Sequence, residues 1–516
     1  MEDPLYDVAI AGFGPTGATL AGLLGRRVWR VLVLERDADV YRLPRAVHFD
    51  HEVMRIFQTL GLAGAVLPHT RVLPRCVFLN AQREVLFETR TDNQIGGWAS
   101  DYMFHQPSLE QLLRDAAGAR PNVTVRYGAL DDVEDGDDGV TARLAEEGAA
   151  RARFLVGCDG AASTVRKRVG LELEDLGFDE PWVVVDLLGA EGLPDHTVQF
   201  CDPARPTTLV PGAHGHHRFE FMLRPGESDA DMLAPETLRG LLAAWLDPDR
   251  VELVRAAVYR FHAVVEREWW RGRVGIAGDA AHQTPPFLGQ GMCAGIRDAM
   301  NLDWKLDLVL RGLAAPALLE TYGSERAPHV REFIERAVSA GRIVCTQDVE
   351  LACVRDAELK KLREQGGSVP IPMTLPMPGP GVFQRSEHGK VGRLAPQPSV
   401  RVGEREALLD DVGGSGFRLV LRDARGWPDA ARLRRFAELG GTVVVWQDEP
   451  AGRSRRDRRR DDAHVEDTAA GADAYFARQG LHAFVVRPDH LVYGVAAEPG
   501  EVAGLLDALA TDVTRR

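Results

Sequence analysis

Cysteine is scarce in this 516-residue chain: Cys76, Cys158, Cys201, Cys293, Cys345 and Cys353 are scattered, and none forms C-x-x-C. A zinc site or a disulfide framework needs clustered spacing, so neither is suggested, and no metal site is expected. Buried or incidental thiols in a reducing compartment remain. No apolar run is long enough to span a bilayer. The N-terminus lacks a basic stretch followed by an apolar one, so no secretory signal is read and a cytoplasmic location is expected. Positive charge is in deficit, with a formal net charge of −14, which argues against nucleic acid as a partner. No internal repeat is visible. The length implies two or three domains.

What is present begins at residues 7–35, DVAIAGFGPTGATLAGLLGRRVWRVLVLE. Val8 to Ala11 reads as a buried strand. Gly12, Gly14 and Gly17 follow as G-x-G-x-x-G. Pro15 to Arg26 has helical character, and Val31 to Leu34 is a second strand closed by Glu35. That order of strand, glycine turn, helix, strand and acid gives the motif its value. Gly12 permits the tight turn, Gly14 lets a pyrophosphate approach the backbone, and Gly17 lets helix and strand pack. The helix N-terminus offers free N–H groups to phosphates. Glu35 can accept hydrogen bonds from a ribose and disfavours a 2′-phosphate, which points to FAD or NAD.

Further along, Asp50 to Leu60 reads as a helix stopped by Gly61. Residues 71–90 alternate as strands do. Phe104 leads into a helix with Ser108 as a possible N-cap. Val123 to Tyr127 is a strand, and Asp131 to Asp138 an acidic turn. Phe154 to Gly157 is an apolar strand ending in Asp159-Gly160, and Arg273 to Ala277 another ending in Gly278-Asp279. Between them, residues 181–223 hold several strand candidates, and Pro235 to Leu246 a helix. A long helix runs past Asn301 and Trp304 toward Leu313, and residues 317–345 continue helical. Residues 368–382 are proline-rich and read as a linker. The tail alternates strands and helices in a thioredoxin-like order without that fold's redox cysteines. The basic and acidic run from 453 reads as a solvated loop.

The glycine turn with Glu35, Cys158-Asp159-Gly160 and Gly278-Asp279 resemble, in order and spacing, the motifs of the group A flavoprotein aromatic hydroxylases, the para-hydroxybenzoate hydroxylase superfamily. PRAVHFDHEVMRIFQ, DLGFDEPWVVVDL, CDPARPTTLVPG and AGDAAHQTPPFLGQGMCAGIRDAMNLDWKL are similar to 3-(3-hydroxyphenyl)propionate hydroxylases, strongly over residues 5–345. The resemblance implies an α/β (α+β) architecture. Residues 1–175 and 265–365 would form a Rossmann-like FAD-binding domain. Residues 176–264, with parts of 70–105, would form an inserted β-sheet substrate domain. A linker at 366–399 would lead to a thioredoxin-like domain at 400–516.

The resemblance also implies site residues. Gly12, Gly14, Pro15, Thr16 and Gly17 would receive the pyrophosphate, and Glu35 and Arg36 the adenosine side. Arg45 and Gln106 would contact FAD, with Asp159 and Gly160 serving FAD and the nicotinamide nucleotide. Gly278 and Asp279 would hold the ribityl chain. Pro286, Gly289, Gln290, Gly291 and Met292 would face the flavin, whose reduced anion the helix start after Gly291 would stabilise.

The implied activity is that of an NAD(P)H- and FAD-dependent monooxygenase. Reduced nicotinamide gives a hydride to FAD, O2 forms a C4a-hydroperoxide, and its distal oxygen goes to a phenol ring ortho to the hydroxyl. A base near the phenol oxygen should help, and His48 is the candidate. Gln199, His217 and Phe219 are candidates for the substrate pocket, and Arg218 for a propionate. Alternation puts Arg218 opposite His217 and Phe219, so both assignments do not fit together. A larger aromatic polyketide is the alternative substrate. A plain NAD-dependent dehydrogenase and a flavin-binding protein without turnover are the alternatives from other classes. Either NADH or NADPH fits, and so does a monomer or a homo-oligomer.

Overall fold

The computed structural model describes residues 5–42, 45–145, 148–366, 374–402, 404–448, 463–467 and 471–514, with backbone alone at 448 and 463–467. The run from 453 expected as a solvated loop lies outside the described residues apart from the strand Ala463–Asp467.

Apolar runs bounded by glycine build the first sheet. Tyr6–Ala11 lies between Val31–Glu35 and Ala149–Gly157, with Val123–Tyr127 beyond Val31–Glu35, all parallel. Ala149–Gly157 divides its edge. Its first half pairs antiparallel with Gly139–Leu144, and its second half parallel with Val274–Ile276. Five parallel strands therefore end on one side, where ligands bind in open α/β sheets. The helices Pro15–Gly25, Gln106–Gly118 and Gly291–Leu310 pack together over this sheet, and Val8, Ile10, Leu32, Val33 and Val156 are fully buried. The acidic stretch is the hairpin expected there, but its turn is confined to Asp137 and Asp138, and Asp131 to Asp135 lie in the strand Leu130–Gly136. Val133 points inward between exposed acids there, an alternation that the charge density conceals.

The second sheet has eight strands. In spatial order they are His282–Gln283, Glu252–Glu266, Leu173–Leu188, His216–Met222, Thr207–Pro211, Thr197–Phe200, Arg75–Leu79 and Val85–Arg90. One face packs Val183, Val185, Phe219 and Phe221 onto Leu238 and Leu242 of the helix Pro235–Ala243. The other face looks toward the ends of the five parallel strands.

The third sheet centres on the parallel pair Arg418–Leu421 and Thr442–Asp448, continued antiparallel by Ala483–Val486 and Val492–Ala496. Residues 374–398, within the stretch expected to be a linker, are packed rather than free. Val382 is fully buried, and backbone bonds from Gln384 and Gly392 reach Tyr493 and Val492. No helix among the described residues is long and apolar enough to cross a membrane.

Candidate active site

Three of the parallel strand ends open on one cavity of about 470 Å³, whose opposite wall is the second sheet. The three glycines of the first turn are there for different reasons. A Cβ on Gly12 would lie 2.4 Å from the Cys158 carbonyl oxygen, and one on Gly17 would lie 2.0 Å from that of Gly12. A Cβ on Gly14 would meet nothing within 4 Å and would stand in the cavity. The helix Pro15–Gly25 has neither a side-chain cap nor an acid in its first turn, so its free N–H groups and positive end face the same space. This is a phosphate cradle, and the residues fit the pyrophosphate of FAD.

Glu35 ends its strand with its carboxylate held by the Phe13 N–H at 2.6 Å and the Asp37 N–H at 3.0 Å. Arg36 is not brought to the cavity. Its side chain is exposed and pairs with Asp37 at 3.0 Å, because the residue after a buried strand end turns outward. Arg45 does line the cavity. The Gln106 side-chain oxygen accepts from the Arg45 and Ala46 N–H groups at 2.8 and 2.7 Å, so Gln106 fixes the loop that carries Arg45. The helix there begins at Gln106 with His105 as N-cap. Ser108 is inside it and bonds the His105 ring, which corrects the N-cap expectation.

At the second strand end, the Asp159 carboxylate caps the helix Thr164–Arg168 through the Thr164 and Val165 N–H groups at 2.7 and 3.0 Å. Cys158 and Gly160, rather than that carboxylate, line the cavity. At the third, Asp279 is exposed to the cavity and has no hydrogen-bond partner among the described residues, as a carboxylate awaiting ribityl hydroxyls would be. Asp298 holds this turn from below. It accepts from the Gly278 N–H at 3.0 Å and from Arg326 at 2.8 Å, and it bonds His282 at 2.8 Å. The sequence carried no signal for that role.

The loop Pro286–Leu288 leads through Gly289, at φ 63°, to the helix Gly291–Leu310. That helix also lacks a side-chain cap and an acid in its first turn, and Gly291 and Met292 line the cavity. Two uncapped helix starts thus share one cavity, which suits a ligand with anionic charge at both ends. Gln290 points its side chain away, toward Arg297 at 3.0 Å and Asp50 at 3.2 Å. Arg297 also joins Asp50 and, at 2.5 Å, Glu52. Burial alone would raise the Asp50 carboxyl, but Arg297 beside it holds it well below the carboxylate range.

The sheet wall contributes Gln199, Thr208, Val210, Arg218 and Glu220. Gln199 accepts from the Thr208 hydroxyl at 2.7 Å. His217 and Phe219 are not brought to the cavity. Phe219 is fully buried on the opposite face against Phe221 and Trp245, and His217 bonds the Gly215 carbonyl. Arg218 faces the cavity, yet Asp186 grips its guanidinium at 2.7 and 3.0 Å. Burial pushes the Glu220 carboxyl up to about 7.

His48 lines the cavity between the loop and the sheet. Its Nε2 lies 2.7 Å from Asp101 Oδ1, and its Nδ1 lies 3.3 Å from the Gly289 carbonyl. Burial would lower its pKa, but the bond to Asp101 and its neighbours raise it well above the usual value. Both ring nitrogens face oxygen acceptors.

Residues 5–337 match the family model described as FAD binding domain, and residues 392–512 the model described as HcaD C-terminal domain. A probable NADH-specific resorcinol 4-hydroxylase of Rhodococcus jostii RHA1 is 40% identical over 518 residues, which cover 98% of this chain and 95% of that protein. A 3-(3-hydroxy-phenyl)propionate/3-hydroxycinnamic acid hydroxylase of Mycolicibacterium smegmatis is 34% identical, over 95% of this chain and 90% of that one. The crystal structure of aklavinone-11 hydroxylase with FAD and aklavinone superposes over the whole of both chains with a TM-score of 0.80 at 26% identity.

Proposed function

The chain belongs to the FAD-dependent aromatic hydroxylases, and we propose that within this family it hydroxylates a small, uncharged phenol of the resorcinol class with NADH and O2. Bound FAD supplies the chemistry, taking a hydride and passing one atom of O2 to the ring. The protein's own residues bind, orient and manage protons. Gly14 and the start of Pro15–Gly25 would hold the pyrophosphate, Glu35 the ribose, and Asp279 the ribityl hydroxyls. The start of Gly291–Leu310 would stabilise negative charge on the reduced ring. Gln199, Thr208 and Glu220 would hydrogen-bond the phenol from the sheet wall.

One observation carries the choice of substrate. Arg218, the buried cation on that wall, is already neutralised by Asp186, and Glu220 stands beside it. An anionic side chain entering there would meet a carboxyl and no unpaired charge. The arginines left on the cavity, Arg45 and Arg260, stand at exposed positions. The likeness to a resorcinol hydroxylase supports the same reading, and NADH over NADPH with it. A 3-(3-hydroxyphenyl)propionate substrate is the second reading, favoured by Arg260 at the cavity mouth. A polyketide-sized substrate is disfavoured, since about 470 Å³ must take the flavin ring as well. Use of NADH and six free thiols support a cytoplasmic setting.

The test is steady-state turnover of the FAD-loaded enzyme with resorcinol and with 3-(3-hydroxyphenyl)propionate, each product identified by mass. The proposal expects kcat/KM for resorcinol to exceed that for the propionate by about tenfold or more, the worth of one uncompensated charge contact. A preference for the propionate overturns it.

A further inference from the structure

We propose that Asp101, and not His48, takes the proton of the substrate hydroxyl, and that a second cavity behind Asp101 is that proton's way out. The proposal rests on the phenol-hydroxylase reading above. Asp101 opens the strand Asp101–Phe104, antiparallel to His48–Asp50 with His48 opposite Met103. His48 and Asp101 are therefore diagonal neighbours on one face. Asp101 Oδ1 receives the His48 bond, and Oδ2 has no partner among the described residues. The carboxylate lines the cavity on the substrate side, close enough to Cys76 on the sheet wall for the two to interact.

Asp101 also lines a second cavity, of about 680 Å³, between the loop after Gly278 and the C-terminal part of the chain. Three polar atoms on its lining residues, Ser100 Oγ, Asn301 Oδ1 and Gln397 Oε1, are buried without a hydrogen-bond partner. Such groups are satisfied by water. The groups facing Asp101 are His48 and Cys76; the second cavity is also lined by Asp50, Glu52, His51, His329 and the arginines Arg55, Arg90, Arg326, Arg336 and Arg393.

The chemistry suits a weak base. As one oxygen atom of O2 bonds to a ring carbon, the ring supplies the electron pair of the new C–O bond. The O–O bond breaks with its pair leaving on the second oxygen atom, which ends as water at the expense of NADH, and the ring hydroxyl becomes strongly acidic. The O–H bond breaks, its pair becomes the C=O of a dienone, and the proton passes to Asp101 Oδ2 and on to water. Loss of the C–H proton from the new sp³ carbon then restores the aromatic ring. The His48 ring bonded to Oδ1 fixes the carboxylate so that Oδ2 is left for the substrate. His48 is thus a positioning residue.

The experiment compares the wild-type holoenzyme with Asp101→Asn and His48→Asn, using resorcinol and NADH. FAD content and circular dichroism are matched first. The readout is hydroxylated product per NADH consumed, with peroxide measured alongside. Asp101→Asn is expected to lower product formation about a hundredfold, with oxygen released as peroxide. His48→Asn is expected to keep coupling within about tenfold. Wild-type coupling in Asp101→Asn, or loss of product in His48→Asn alone, overturns the proposal. A wild-type enzyme that hydroxylates neither resorcinol nor 3-(3-hydroxyphenyl)propionate overturns the functional reading instead.

Discussion

At Gly14 an added methyl group would meet no protein atom within 4 Å, whereas at Gly17 it would lie 2.0 Å from a backbone oxygen. Two substitutions in one motif should therefore fail differently. Gly14→Ala is expected to fold and to bind FAD about ten- to a hundredfold more weakly, since its Cβ takes the space of a phosphate. Gly17→Ala is expected to give little folded protein at all. Flavin fluorescence titration and circular dichroism separate the outcomes, and equal FAD affinity in Gly14→Ala would contradict the assignment. Glu220 offers a pH test. Its folded pKa of about 7 lies above the ordinary carboxyl value, so stability falls as pH rises from about 4.5 to about 7. Glu220→Gln should match the wild type in melting temperature near pH 5 and exceed it near pH 8. Gly12 and Gly17 were legible because local chain geometry demands them; Gly14 and Asp279 were read only through the ligand that the motif and the family resemblance imply. Which side of the sheet carried the pocket was not, and His217 and Phe219 were placed on the wrong one. Asp101 left no signature, because its partner His48 is brought to it only by tertiary pairing of two short strands.

Helix His51–Leu60 was legible from its ends: Asp50 accepts from the Val53 N–H, and Gly61 adopts φ 78°. Its attachment was not. Arg297, two turns into Gly291–Leu310, binds Asp50 and Glu52 in a buried cluster. Arg297→Met is expected to cost about 3–5 kcal/mol by stranding two buried carboxylates, read as a lower urea midpoint with earlier flavin release. Because the Asp50 pKa is depressed in the fold, the cluster's contribution is present above the ordinary carboxyl pKa and is lost as pH falls below it. The wild-type and Arg297→Met curves should therefore converge in acid. The strand Glu252–Glu266 went unread. Its residues alternate poorly between buried and exposed, since Tyr259, Arg260, Phe261 and His262 all border the cavity. A strand lining a ligand site keeps mixed chemistry on both faces, and the period-2 pattern weakens.

At the scale of the whole molecule, buried ion pairs cross between the C-terminal unit and the rest of the chain, beside a hydrophobic cluster that runs from Trp304 to Phe417. Arg487, from the loop between Ala483–Val486 and Val492–Ala496, binds Glu325 at 2.7 and 3.1 Å and also Asp489. Lys305 lies 3.0 Å from the same Glu325. Arg55 meets Asp410, which Arg418 also contacts at 2.6 Å. The C-terminal unit is thus locked onto the helices His51–Leu60, Gly291–Leu310 and Glu320–Val344, although composition alone presented it as a domain behind a linker. Arg487→Leu is expected to lower the melting temperature of the entire chain in one step. An unchanged first transition would mean that the two parts are independent. The measurement closest to the central claim is turnover of the FAD-loaded enzyme with NADH and resorcinol under ¹⁸O₂, followed by mass analysis. The account predicts a product carrying one added ¹⁸O atom, formed in proportion to the NADH consumed. Product oxygen derived from water, or NADH oxidation indifferent to any phenol, would contradict it.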